Sequence, residues 1–208
     1  GSRARDEETK AVDGAVDGPD AAGGAGTPDG RPPVGCRLRL TVTDMALDGD
    51  AIARHDSYVL FIPGAIPGEE VEAEVVATGR KFGRARIISV LKPSPHRVAP
   101  PCPHFGPCGG CTWQHIAYGE QLRLKERILA NVLGLALGTP VAISPTEGID
   151  PPWAFRNKVH FVVGPDASGA AALGHFGAHS KEFIPVGECP VHSARGNQVI
   201  SGILADAA

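Results

Sequence analysis

Bulky side chains are scarce in this chain of 208 residues: aromatics make up 5% of it, as two Trp, two Tyr and seven Phe, and Met occurs once. Large, densely packed cores are therefore excluded, although 42% hydrophobic content still supports one or two modest globular domains. No apolar run approaches the roughly 18 residues of a membrane-spanning helix. The first thirty residues contain no apolar segment of the kind a secretory signal needs. A basic surplus is missing too, since 20 Lys and Arg face 23 Asp and Glu for a net charge of −3. By itself that balance does not announce a nucleic-acid partner. Cysteine is sparse and odd in number, at five, which argues against a disulfide scaffold in a chain without a secretory signal. What is plentiful is turn chemistry, with 27 Gly and 19 Pro. The chain opens Gly1-Ser2 and its one Met is Met45, so the expectation is a piece of a longer protein.

The charge is unevenly placed. Residues 1–36 hold seven acidic and four basic side chains, eight Gly, four Pro and no aromatic residue. That composition buries too little apolar surface to offset the cost of ordering the backbone, and it predicts a disordered tail over 1–36. A partner-binding arm would need an anchor residue, and none is present. The whole imbalance of −3 lies there, so residues 37–208 sum to zero.

From Arg37 the pattern alternates, with Leu38, Leu40 and Val42 against Arg37, Arg39, Thr41 and Thr43. This is the period of a half-buried strand. Further strand-like runs cover Ala51 to Arg54, Tyr58 to Ile62, Val71 to Val75 and Ala85 to Leu91, separated by Asp48-Gly49, Pro63-Gly64 and Pro67-Gly68 turns. Five short strands over residues 37–97 predict a small closed, OB-like barrel. Between the last two strands, Gly79 to Arg86 packs Arg80, Lys81, Arg84 and Arg86 around Phe82. Cations for phosphates and an aromatic for base stacking make Arg80, Lys81, Phe82 and Arg84 candidate RNA contacts. A solvated hairpin accounts for the same residues equally well.

Three cysteines form Cys102-x5-Cys108-Gly109-Gly110-Cys111, and a fourth follows far downstream in Glu188-Cys189-Pro190. A tight glycine-containing loop can bring three thiolates to one point, and the remote cysteine can close a four-thiolate centre. Zinc and a [4Fe–4S] cluster both accept four thiolates. Structural zinc prefers two close pairs, whereas three near cysteines with one remote and followed by Pro suit a cluster better. His104 and His115 would be available to zinc, although loop histidines are commonly bystanders. Cys36, at the end of the tail, is outside the set.

Residues 98–138 therefore read as a cluster loop followed by an amphipathic helix over 116–137. The expected apolar stripe of that helix is Leu122, Leu129, Val132, Leu133, Ala136 and Leu137. Its stop is Gly138-Thr139-Pro140. Residues 139–208 predict a small antiparallel sheet with strands at 156–163, 172–176 and 182–186. Arg156 and Lys158 on the first strand are candidate phosphate contacts. The fold class expected is mainly β with one α-helix.

Two segments carry a family resemblance. Asp44 to Pro100, with its Phe61-Ile62-Pro63-Gly64 and Ile66-Pro67-Gly68-Glu69 turns and Pro93-Ser94-Pro95-x-Arg97 exit, resembles a TRAM domain, an RNA-binding barrel of certain tRNA- and rRNA-modifying enzymes. Cys102 to His115 resembles the iron–sulfur motif of the RNA 5-methyluridine methyltransferases, where it directly follows a TRAM domain. Tyr118, Gln121, Leu122 and Lys125, then Phe155 to Val159 and Ile184 to Val191, are similar to that family in the same order. The resemblance implies a [4Fe–4S] cluster on Cys102, Cys108, Cys111 and Cys189, and a central α+β domain that helps grip RNA. It implies rRNA or tRNA as partner, without DNA or membrane, in a monomeric cytoplasmic protein. The parent reaction it implies is methyl transfer from S-adenosylmethionine to uridine C5. That chemistry needs a thiolate nucleophile, a base and a donor-binding turn of an α/β sheet. No stretch of this chain matches those parts, so the catalytic domain and its S-adenosylmethionine site are expected to be absent here, and no residue is assigned as catalytic. The alternative from another class is a stand-alone RNA-binding module, with an unrelated zinc-stapled barrel as a third reading.

Overall fold

Short strands of alternating character, punctuated by glycine turns, have few ways to bury one face each, and closing on themselves is the economical one. The computed structural model describes residues 30–178 and 180–206. In it, β1 (Arg37–Met45), β2 (Ala51–His55), β3 (Tyr58–Ile62), β4 (Glu70–Thr78) and β5 (Phe82–Lys92) form a closed barrel in the order β1-β2-β3-β5-β4. All neighbouring pairs are antiparallel except β3 and β5. Leu40, Val42, Leu60, Ile62, Val71 and Val75 fill the interior. Ala51, Ala53, Ala73 and Ala85 are buried among them, their small side chains suiting a narrow barrel. Outside, Arg39 pairs with Glu70 and Arg86 with Glu74, each at 2.7 Å.

Two boundaries differ from expectation. The tail predicted over 1–36 lies, up to residue 29, outside the described residues. Its final residues are engaged: the Gly35 amide donates to Val75 O (2.7 Å), and Val75 returns a bond to Cys36 O (2.9 Å). These bonds extend the β1–β4 ladder by two residues, so ordered structure begins before residue 37. At the other end of the barrel, β5 starts at Phe82 rather than Ala85, leaving only Gly79 to Lys81 in the turn.

One buried ion pair fixes how the chain leaves the barrel. Glu69 is 0% exposed, and its carboxylate accepts two bonds from the Arg97 guanidinium (2.6 and 2.7 Å). The Ile66 amide (2.9 Å) and the Ser94 amide (3.1 Å) complete its shell. Beyond Arg97 the chain pairs with residues 115–117, through Val98 N to His115 O (2.9 Å) and Ala117 N to His96 O (2.8 Å).

That pairing leads into α1 (Tyr118–Leu137), which stops at Gly138 in a left-handed conformation. The helix buries Leu124 and Ile128, which join Ile116 and the barrel interior in one core. The expected stripe is corrected here. Leu129, Val132 and Leu137 are substantially exposed, because the helix rides on the barrel with the adjacent face. Arg127 and Asn131 on α1 hold Asp44 of β1 at 3.0 and 3.2 Å.

The remaining segment forms a three-stranded antiparallel sheet of β6 (Val162–Pro165), β7 (Ala171–Phe176) and β8 (Phe183–Pro185), with β7 central. The strand expected from residue 156 begins only at Val162. Arg156 instead spends its backbone on the loop after Cys189, with its N donating to Val191 O (2.8 Å) and its O accepting from Ser193 N (3.0 Å). A second helix, α2 (Ala194–Asp206), corrects the single helix expected. Its signal was present: Ser193 caps it, with Oγ accepting from Gly196 N (3.2 Å), ahead of apolar Val199, Ile200 and Ile203 at helical spacing.

Burial pushes the Glu69 carboxyl up, but Arg97 and the Ser94 and Ile66 amides more than offset this and hold it below the usual carboxylate range. Its stabilising contribution is therefore present at neutral pH and is lost as pH falls through that lowered value. Glu69→Gln should cost about 3 kcal/mol at pH 7, since it leaves Arg97 unpaired. Urea denaturation at several pH values should show the gap to wild type narrowing in acid.

Candidate functional site

The cysteine loop is strapped down by its backbone. Cys108 N bonds His104 O (2.9 Å), Gly109 N bonds Phe176 O at the end of β7 (3.0 Å), and Ala178 N bonds Pro107 O (3.2 Å). A side chain at Gly109 would press on the Phe176 carbonyl at 3.0 Å and the Ala178 backbone at 3.2 Å, so glycine permits this approach. Between β8 and α2, Cys189 is held by Asn197, whose Oδ1 accepts from Cys189 N (3.2 Å) and whose Nδ2 donates to Cys189 O (3.0 Å).

The result is convergence. Cys102, Cys108, Cys111 and Cys189 all line one small cavity of about 20 Å³, together with Gln114, Arg156 and His175. None of the four is in a disulfide. Burial pushes the Cys111 thiol up, with Cys189 and Cys108 adding to it, while Gln114 and Arg156 work in the opposite direction. Gln114 also accepts from the Cys102 amide (3.3 Å). Among the described residues, no three His, Cys, Asp or Glu side chains gather closely enough to hold a metal ion. Four thiols lining one cavity are the donor set that a thiolate-bound zinc or cluster uses.

His115 is only 4% exposed and stacks near Phe105, with ring centroids 5.5 Å apart. Burial, followed by the Arg97 charge, lowers its pKa to about 4, so it is a neutral core residue. Cys36 stands apart, at the rim of the barrel core. Reasoning from sequence missed Gln114, Asn197 and His175, which are recognisable only once the loop is folded.

The candidate RNA contacts separate into two groups. Arg80 and Lys81 lie exposed at the β4–β5 turn; among the described residues neither has an acidic partner. Phe82 beside them is 51% exposed and meets Phe61 edge-on, with centroids 5.4 Å apart. Arg84 is occupied: it pairs with Asp50 at 2.7 Å and approaches Asp48 at 4.0 Å. Arg156 is distant in sequence and lines the cysteine cavity, while Lys158 is exposed nearby in the chain. This division is measurable. Arg84→Ala should lower stability by about 1 kcal/mol through its half-buried pair, and Arg80→Ala or Lys81→Ala by less than about 0.5 kcal/mol, read from denaturant midpoints.

Among known proteins, residues 33–88 match the TRAM domain family. Over 164 residues the chain is 38% identical to an uncharacterised RNA methyltransferase of Halalkalibacterium halodurans, covering 78% of this chain and 36% of that protein. It is 39% identical over 160 residues to one of Listeria monocytogenes, covering 76% of this chain and 35% of the other. Among solved structures, a Pyrococcus abyssi tRNA (uracil-54, C5)-methyltransferase in complex with S-adenosyl-L-homocysteine aligns over 79% of this chain and 35% of its own, at 24% identity and a TM-score of 0.48. The chain thus spans about a third of the length of the relatives it matches. No helix among the described residues is long and apolar enough to cross a membrane. The barrel carries a TRAM domain, and the chain is similar, from that barrel onward, to proteins named RNA methyltransferases.

Proposed function

We propose that this chain is the RNA-recognition and cluster-binding part of an RNA (uracil-C5) methyltransferase, whose whole reaction passes a methyl group from S-adenosylmethionine to uridine in rRNA or tRNA. Four thiols drawn to one cavity from both ends of the cysteine segment carry this reading, together with the relatives' names. Cys102, Cys108, Cys111 and Cys189 would hold a [4Fe–4S] cluster. Bound there, the cluster would supply a rigid covalent link between the barrel-side loop and the sheet-side loop. Methyl transfer of this type involves no net electron flow, so its part is architectural. Arg156 sets a positive charge beside the thiolates, and Gln114 and Asn197 orient the loops that carry Cys102, Cys111 and Cys189. Arg80 and Lys81 offer unpaired cations for phosphates and Phe82 an exposed ring for stacking, while Arg84 shapes the turn from its pair with Asp50. RNA selection belongs to this chain's surfaces, and the transfer step to the rest of the proposed enzyme.

Purified without oxygen, the protein should be brown and contain iron and acid-labile sulfide in equal amounts. Cys189→Ser should lose most of both, and Asn197→Ala should retain less after gel filtration. A colourless protein holding one zinc would replace the cluster with a zinc staple. Binding to single-stranded RNA should weaken steeply with salt, and Arg80→Ala with Lys81→Ala should flatten the log–log slope by roughly 0.7 per lost contact. An unchanged slope would return that turn to an ordinary solvated hairpin.

A further inference from the structure

The chain has few aromatic rings, and their placement is uneven. A cavity of about 570 Å³ opens between α1 and the segment 149–156. Trp113, Tyr118, Trp153 and Phe155 line it, which includes both tryptophans of the chain. Among the described residues its charged linings are Lys125 and Arg156, with no carboxylate beside them. In a chain whose residues 37–208 sum to zero, that one-sided charge favours an anionic ligand. The volume lies in the range of small-molecule sites and admits a nucleotide.

The four rings have different standing. Trp113 is committed, donating its indole N–H to Gly49 O at 3.0 Å. Tyr118 is committed too, its hydroxyl accepting from Ile149 N at 3.0 Å. Trp153 and Phe155 pack on no other ring among the described residues, and Phe155 is 50% exposed. They flank Ala154, whose φ of 55° places an L-residue in the left-handed region. The turn holds that costly conformation because Ala154 N bonds Pro190 O (2.9 Å) and Arg156 N bonds Val191 O (2.8 Å). A strained turn, anchored to the loop of Cys189, presents two rings beside two cations.

We propose that this cavity is a nucleobase subsite, which takes one unstacked base of single-stranded RNA against Trp153 and Phe155 and its neighbouring phosphates against Arg156 and Lys125. Stacking tolerates any base while cations follow the backbone, so this combination suits single strands better than a duplex. An apolar protein segment would use the rings but leave Lys125 without a role. The subsite shares Gly110, Cys111, Gln114, Arg156 and Val191 with the cysteine cavity, so the cysteine loop forms one of its walls. The inference rests on the RNA reading above and adds to it where a base would sit.

Both tryptophans line the cavity, so their emission reports its occupancy. The full 208-residue protein is titrated with an oligouridylate of about 12 nucleotides and with an abasic oligomer of the same length. Oligouridylate should quench tryptophan emission on binding, and the abasic oligomer should bind more weakly without comparable quenching. Trp153→Ala should weaken oligouridylate binding about tenfold with an unchanged salt slope, and Trp153→Phe should restore most of it. Arg80→Ala with Lys81→Ala should flatten the slope yet keep full quenching at saturation. Wild-type affinity in Trp153→Ala, or equal quenching by the abasic oligomer, would overturn the subsite while leaving RNA recognition by the barrel intact. No binding of either oligomer by the unmodified protein would remove the RNA reading itself. Should Trp153→Ala fail to fold, Trp153→Phe and the two oligomers still decide.

Discussion

The arrangement depends on a single carboxylate. Glu69, in the turn before β4, has no exposure to solvent, so its charge has to be answered locally. It is answered by residues from three places: Ile66 in its own turn, Ser94 in the exit and Arg97 beyond it. Arg97 in turn donates to Gly64 O at 2.8 Å. The chain after β5 thereby has one direction in which to leave. That direction sets residues 96–98 against residues 115–117, which brings Ile116 into the barrel core and delivers α1 to its seat. A polar interaction selects the geometry, and apolar burial of Ile116, Leu124 and Ile128 stabilises it.

From that frame the cysteine loop inherits two fixed ends. On one side it is joined to the barrel through Trp113 and the Gly49 carbonyl. On the other it is stitched to β7 through Gly109 and Phe176. Gly49 itself has a φ of 94°, and a side chain there would meet the Trp113 indole at 2.9 Å, so the turn and the ring fit only as glycine and tryptophan. Between these anchors, four thiols separated by up to 87 positions in sequence share one cavity. A group bound by all four would tie the barrel side to the sheet side.

The scarcity of aromatic residues takes on a different meaning in three dimensions. Barrel filling is left to aliphatic and alanine side chains, with Tyr58 the one aromatic residue in the buried core. Phe82 at the β4–β5 turn and Phe155 beside Trp153 are exposed. Beside both, Arg80, Lys81 and Lys125 have no acidic partner among the described residues. Arg84 is the instructive exception. It belongs to the densest basic run of the sequence, but Asp50 folds against it, which makes it part of the turn's scaffold.

The barrel was legible because its signals are local. Period-two alternation, Pro-Gly turns and an Asp-Gly turn act within a few residues. The convergence of Cys102, Cys108, Cys111 and Cys189 on one cavity was legible from their type and spacing. Other features could not be read along the chain. Arg156 carries a strand-like context, yet its backbone bonds go to Val191 and Ser193, a choice made by the loop that Cys189 requires. The α1 stripe was drawn one face away, since periodicity shows that a helix has an apolar side but not which residues meet the barrel. Two tryptophans 40 positions apart give no sign of sharing a cavity. The sequence determined which segments alternate, turn and offer thiols, because those properties depend on neighbours in the chain. Tertiary structure decided which cations are already paired and which rings are left open, because both depend on partners that only folding brings near.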